Sequence, residues 1–105
     1  MEAALKAIAE PRRRQILTLV RDGELSAGEI AAHFDVTRPA ISQHLTVLKE
    51  AGLVSERRNG TRRLYQARPQ GLEELKTFLE GFWDERLVAL RREAERKERK
   101  RGRSH

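Results

Sequence analysis

Two helix-start signals, at Ser26 and Thr37, leave room between them for only one short helix and a tight turn. Ser26-Ala27-Gly28-Glu29 has the spacing of a capping box: the Ser26 hydroxyl accepts from the Glu29 amide, and the Glu29 carboxylate accepts from the Ser26 amide. Ile30, Ala31 and Phe34 give this helix an apolar face. It must stop near Asp35, because Thr37 offers a second N-cap with Pro39 in the following first turn, where the missing N–H costs nothing. In the second helix Ile41, Leu45 and Leu48 repeat at i, i+4, i+7, and Gly52 stands where a left-handed C-terminal cap is expected. Two helices joined by so short a turn read as a helix-turn-helix.

The face of the second helix opposite Ile41, Leu45 and Leu48 carries Pro39, Ser42, Gln43 and Thr46, with Thr37 and Arg38 at its exposed N-terminal end. Small hydroxyls, a carboxamide and an early arginine suit a helix in the DNA major groove. There glutamine pairs bidentately with adenine and arginine with guanine, at roughly 1 to 3 kcal/mol of discrimination per good pair. An ordinary solvated helix face is the plain alternative. His44 borders the apolar stripe, as a packed or phosphate-contacting residue rather than a catalytic one.

The next segment weights the choice. Leu53 to Arg58, then Asn59-Gly60, then Thr61 to Ala67 are two strand-like runs around a strong hairpin signal. With Asn59-Gly60 as the loop, Glu56 would face Arg63 and Val54 would face Tyr65 across the ladder. Arg57, Arg58, Arg62 and Arg63 crowd the tip beside Asn59, a self-repelling cluster that a phosphate backbone alongside would neutralise. The alternative is a charged edge that blocks strand-to-strand aggregation.

Composition narrows the remaining classes. With 105 residues and 38% hydrophobic content, the chain suits one small domain whose modest core a dimer interface would enlarge. It has no cysteine, so disulfides and thiolate metal sites are excluded. No run approaches a membrane span and no signal peptide is recognisable, so a cytoplasmic protein without membrane attachment is expected. The net charge of +6 is uneven: residues 91–105 hold 8 Lys and Arg against 3 acids, while residues 36–68 hold seven basic residues against Glu50 and Glu56. That local excess beside the second helix favours nucleic acid.

Residues 1–9 form a short helix, with Leu5 and Ile8 expected to dock on a partner. Glu10-Pro11 opens the next helix, whose core stripe is Ile16, Leu17 and Val20. Arg12, Arg13 and Arg14 in its first turn oppose the helix dipole, so they are either simply solvated or compensated by Glu10 or a phosphate. After Arg68-Pro69-Gln70-Gly71, a single long helix is predicted from Leu72 to at least Leu90. Its stripe of Leu72, Leu75, Phe78, Leu79, Phe82, Trp83, Leu87 and Leu90 is broader than one face of so small a domain covers. We read it as a dimer interface shared with the first helix; completion of the monomer core is the alternative. From Arg91 a mixed-charge helix should fray into a disordered tail, which either touches DNA or only solubilises the protein. The domain division expected is therefore 1–90 and 91–105.

Taken together, several stretches resemble the ArsR family of bacterial winged-helix repressors. They are Glu10 to Leu17, Leu25 to Ala31, Pro39 to Leu48, Ala51-Gly52-Leu53-Val54 and Arg58-Asn59-Gly60-Thr61-Arg62-Arg63-Leu64-Tyr65. The resemblance implies a mainly α fold with a small β-hairpin: a homodimeric winged helix-turn-helix of about five helices and a two-stranded wing. It also implies binding to an inverted-repeat operator, with base contacts from Arg38, Pro39, Ser42 and Gln43 and the wing arginines on phosphate or in the minor groove. Pro39 replaces a position that is often a polar reader. The cysteines of the family's metal sensors are absent, and Glu80, Asp84 and Glu85 have no histidine beside them, so neither a soft metal nor another cofactor is expected. Trp83 to Leu87 resembles the non-metal branch, which includes autorepressors; no small-molecule effector is identifiable. An enzyme is disfavoured, since His33, His44 and His105 converge with no nucleophile and there is no glycine-rich phosphate loop. A winged helix that binds protein, or RNA, remains the alternative.

Overall fold

The computed structural model describes residues 1–82 and 85–103. In chain order these form α1 (Glu2–Ala9), α2 (Pro11–Val20), β1 (Leu25–Ser26), α3 (Ala27–Ala31), α4 (Arg38–Glu50), β2 (Val54–Asn59), β3 (Arg62–Ala67), α5 (Pro69–Glu80) and α6 (Glu85–Arg103). Among the described residues there are thus six helices and a three-stranded antiparallel sheet of order β1-β3-β2, where five helices and two strands were expected. The additional strand, β1, has only two residues, pairing Leu25 with Tyr65 and Ser26 with Leu64. So short a strand has no period to read in the sequence. It ties the base of the wing to the start of α3.

Local signals set the helix ends. The capping box of α3 is complete: the Glu29 amide donates to Ser26 Oγ at 3.2 Å and the Ser26 amide to Glu29 Oε1 at 3.0 Å. Thr37 Oγ1 accepts from the Ala40 amide at 3.3 Å, which starts α4. At its far end Gly52 lies at φ +78, with its amide donating to Lys49 O and the Leu53 amide to Leu48 O, each at 3.0 Å. These two bonds form a Schellman cap, and the positive φ favours glycine there.

The residues from Met1 to Leu75 make one compact unit. Ile16, Ile30, Ile41, Leu45, Leu48 and Leu53 are its largest wholly buried side chains, each worth about 1.5 to 3 kcal/mol by transfer from water. The helix α1 packs against α2 and α4, burying Ala4 and Ala7 in this core, with Leu5 and Ile8 half-covered against it. Leu75, expected at a dimer interface, is also buried in the chain's own core, and Leu72 packs on its edge. The start of α5 lies against the cap of α4: a Cβ on Gly71 would fall 1.9 Å from the Gly52 carbonyl oxygen.

The second unit begins at Lys76. The expected single helix from Leu72 to Leu90 is instead divided, because α5 ends at Glu80. The Gly81 amide is shared between Thr77 O and Phe78 O, and Phe82 N bonds to Leu79 O, so the last turn tightens. Glycine is a poor continuation residue, and the helical pattern resumes at Glu85. The helix α6 then runs to Arg103 and includes the mixed-charge helix expected from Arg91.

Candidate nucleic-acid interface

On α4, the three apolar residues Ile41, Leu45 and Leu48 are buried. Thr37, Arg38, Pro39, Ser42, Gln43 and Thr46 are all exposed, as the helical period requires. Thr46 Oγ1 donates to the Ser42 carbonyl at 3.0 Å, and the residue remains exposed. His44 is not on this face. It is half-buried against α2, with Nδ1 3.5 Å from an Arg13 guanidinium nitrogen and 4.0 Å from Glu10 Oε2. Val47 is a residue the sequence reading missed: it is 37% exposed on the same side of α4 as Gln43, an apolar surface in an otherwise polar row. Its spacing of i+4 from Gln43 could have signalled it.

The wing has a different register from the expected one. Asn59 pairs with Arg62, Arg58 with Arg63, Arg57 with Leu64, Glu56 with Tyr65 and Val54 with Ala67. The two-residue turn is therefore Gly60-Thr61 rather than Asn59-Gly60. Gly60 has φ +66 and no described non-glycine residue has positive φ, the pattern of a II′ turn with glycine first, whereas the Asn-Gly reading required positive φ at both positions. Glu56 no longer faces Arg63 directly but still reaches it diagonally at 3.8 Å. It also accepts from Lys49 Nζ at 3.3 Å, linking the wing to the end of α4. Burial first, and Glu56 second, push the Tyr65 hydroxyl pKa up.

This register sorts the four wing arginines into two kinds. Arg57 and Arg62 pair with carboxylates from the segment before and within α3. Arg57 forms a two-pronged contact with Glu24, one branch at 2.8 Å, and Arg62 pairs with Glu29. The Arg57 hydrogen bond lowers the Glu24 pKa, while the two Ser26 bonds, more than Arg62, lower that of Glu29. Arg58 and Arg63 are directly opposed across the strands and share one face of the ribbon. Like charges so placed repel. Among the described residues Arg58 has no ion-pair partner, and Arg63 has only its long contact to Glu56. Arg38, Ser42, Thr61, Arg62 and Arg63 line an open cleft of about 360 Å³ between α4 and the wing.

The arginine run opening α2 is neither simply solvated nor compensated by Glu10 alone. Glu10 Oε2 caps α2 by accepting from the Arg13 amide at 3.0 Å. The side chains act on other elements: Arg13 donates to Ala7 O at 2.7 Å and Lys6 O at 3.1 Å, and Arg14 donates to Ile8 O at 2.7 Å. They satisfy carbonyls at the end of α1, where cations also complement the dipole. The Arg12 guanidinium lies 5.6 Å from the Phe34 ring centre, a cation–π contact that anchors the turn between α3 and α4.

The residues proposed for an interface between copies are divided by the structure. Leu5, Ile8, Leu72 and Leu75 are drawn into or against the core of their own chain, while Phe78 and Leu79 are each 39% exposed and Phe82 and Leu90 are over half exposed. Phe78 and Phe82 meet edge to face at 5.4 Å. Trp83 and the side chain of Leu87 lie outside the described residues. Among the described residues no group of three or more His, Asp or Glu is placed to hold a metal ion, and no helix is long and apolar enough to cross a membrane.

Comparison with known proteins agrees with this geometry. Residues 10–56 match the model of the family described as bacterial regulatory protein, arsR family. An HTH-type transcriptional regulator of Mycobacterium tuberculosis is 48% identical over 87 residues, covering 83% of this chain and 81% of the relative. The transcriptional repressor SdpR of Bacillus subtilis is 47% identical over 60 residues, 57% of this chain and 67% of that one. Among solved structures, the homodimeric winged helix-turn-helix DNA-binding domain of a possible ArsR-family regulator from Mycobacterium bovis superposes with a TM-score of 0.65. Its identity is 33%, over 77% of this chain and 75% of the other. Coverage and identity of this order, over both the helix-turn-helix and the wing, establish that the chain belongs to the arsR family of bacterial regulatory proteins.

Proposed function

We propose that this protein is a homodimeric transcriptional repressor that binds an inverted-repeat operator in double-stranded DNA. The observation that carries the reading is the pairing of two surfaces: the exposed polar row of α4 and the opposed Arg58 and Arg63 of the wing. The helix enters the major groove with Arg38 and Gln43 toward base edges, and Ser42 and Thr46 toward bases or phosphates. Val47 supplies an apolar contact to a thymine methyl. The wing arginines hold phosphate and fix the register. In this reading His44 positions α4 through Arg13 and Glu10 rather than contacting a base. The protein is read as acting in the cytoplasm, with its own promoter among the candidate operators.

Two copies would place two recognition helices on half-sites one helical turn apart, which requires two-fold symmetry in the operator. The exposed Phe78, Leu79, Phe82 and Leu90 provide apolar surface for that association, and the M. bovis relative is described as homodimeric. Leu79→Asp is expected to convert the dimer into monomers in sedimentation; an unchanged dimer mass would remove Leu79 from the interface.

Selection of duplexes from a randomised pool tests the function directly. An enriched inverted repeat is expected. Gln43→Ala and Arg38→Ala should each relax the preference at particular positions of that repeat, by about 5- to 150-fold per contact. Enrichment of a sequence without two-fold symmetry, or of no sequence at all, would overturn the reading.

A further inference from the structure

Glu29 has two partners for one oxygen. Its Oε1 accepts from the Ser26 amide at 3.0 Å as half of the capping box, and the same oxygen is paired with Arg62 of the wing. The cap needs only an acceptor, and glutamine serves a capping box as glutamate does. The capping bonds favour the charged form, yet glutamine would keep their geometry without the charge. What that charge meets is a guanidinium on the cleft that Arg38, Ser42 and Thr61 also line, beside the face of α4 proposed to read bases.

We propose that Glu29 is a resident phosphate surrogate for Arg62, a residue that sets how weakly the protein holds DNA of arbitrary sequence. The inference rests on the DNA-binding reading above and deepens it. Every duplex whose phosphate approaches the wing must displace a carboxylate already in contact with Arg62. The displacement is feasible because both side chains are about half exposed, 55% for Arg62 and 47% for Glu29, and ion pairs of this kind are worth only about 1.4- to 5-fold in an equilibrium constant. The cost falls on all sequences alike. Affinity for every duplex therefore falls by the same factor: discrimination, which rests on base contacts, is unchanged, while the absolute hold on arbitrary sequence weakens. Arg57 does not share this arrangement, since neither it nor Glu24 lines the cleft.

The test is an anisotropy titration of the full chain against a labelled duplex of random sequence at several salt concentrations. Wild type is compared with Glu29→Gln, Arg62→Ala, the double variant and Glu73→Gln; the last makes the same charge change on an exposed residue of α5. Melting curves check that the cap of α3 survives the Glu29→Gln change. Glu29→Gln is expected to bind about 2- to 25-fold tighter than wild type per dimer, with a log–log salt slope steeper by up to about 1.8. The double variant should bind no tighter than Arg62→Ala alone. Equal affinity for Glu29→Gln and wild type, an equal gain from Glu73→Gln, or a gain that survives removal of Arg62 would each overturn the proposal. Failure of wild type to bind any duplex at low salt would instead overturn the DNA-binding reading on which it rests.

Discussion

Gly71→Ala is expected to destabilise the protein by about 3 kcal/mol or more, lowering the melting temperature by roughly 12 °C or more for a domain of this size. The effect is steric. A Cβ on residue 71 would stand 1.9 Å from the carbonyl oxygen and 2.9 Å from the carbonyl carbon of Gly52. Both are main-chain atoms, so no side-chain rotation relieves the clash. Gly52 is also the left-handed cap of α4, and its neighbour Leu53 bonds to Leu48 O at one side and accepts from Arg68 N at 2.8 Å on the other. Either α5 moves off the core, uncovering Leu75, or the end of α4 is displaced together with its exposed polar face. Calorimetric or circular-dichroism melts measure the effect. A variant that melts within about 2 °C of wild type, well short of the shift expected for a lost core contact, would show that the two backbones do not approach so closely.

The second large effect concerns the wing. Replacing Arg58 and Arg63 together by alanine is expected to weaken binding to any duplex on the order of 100- to 1,000-fold per dimer, through four lost charge-assisted phosphate contacts. The log–log salt slope should fall by about 3.6. In the folded chain these two residues oppose one another across the hairpin, so their removal also relieves a repulsion. The hairpin should therefore tolerate the change and melt no lower than wild type. That combination of intact fold and lost affinity distinguishes an anion-binding pair from a structural one. Discrimination between an enriched duplex and a scrambled one should remain, because it belongs to α4. Loss of discrimination with little loss of affinity would reverse the roles assigned to wing and helix.

The helix-turn-helix was legible in the sequence because its determinants are local. The capping box at Ser26 and Glu29, the Thr37 cap and the Gly52 terminus each involve residues within a few positions of one another. The polar row of α4 followed from the period of Ile41, Leu45 and Leu48. What escaped the reading depends on contacts distant in sequence. The strand β1 exists only because β3 offers it an edge, and Arg13 and Arg14 reach back to carbonyls of the preceding helix. The wing was recognised, but its register was not: Asn59-Gly60 and Gly60-Thr61 are both acceptable two-residue turns, and moving the turn by one position shifts each cross-strand partner by two residues. That shift placed Arg58 opposite Arg63 and left Arg57 and Arg62 to Glu24 and Glu29. Gly81 is a local signal for the end of α5 that the apolar stripe on either side of it masks in the sequence.

In the function proposed above, α4 and the wing together hold a specific duplex. The most direct measurement is the salt dependence of binding by fluorescence anisotropy, using a duplex enriched from a random pool and a scrambled control. Tighter binding to the enriched duplex at two protomers per site, with both affinities falling steeply as salt rises, is the expected result. Equal affinity for the two duplexes, or binding insensitive to salt, would contradict it.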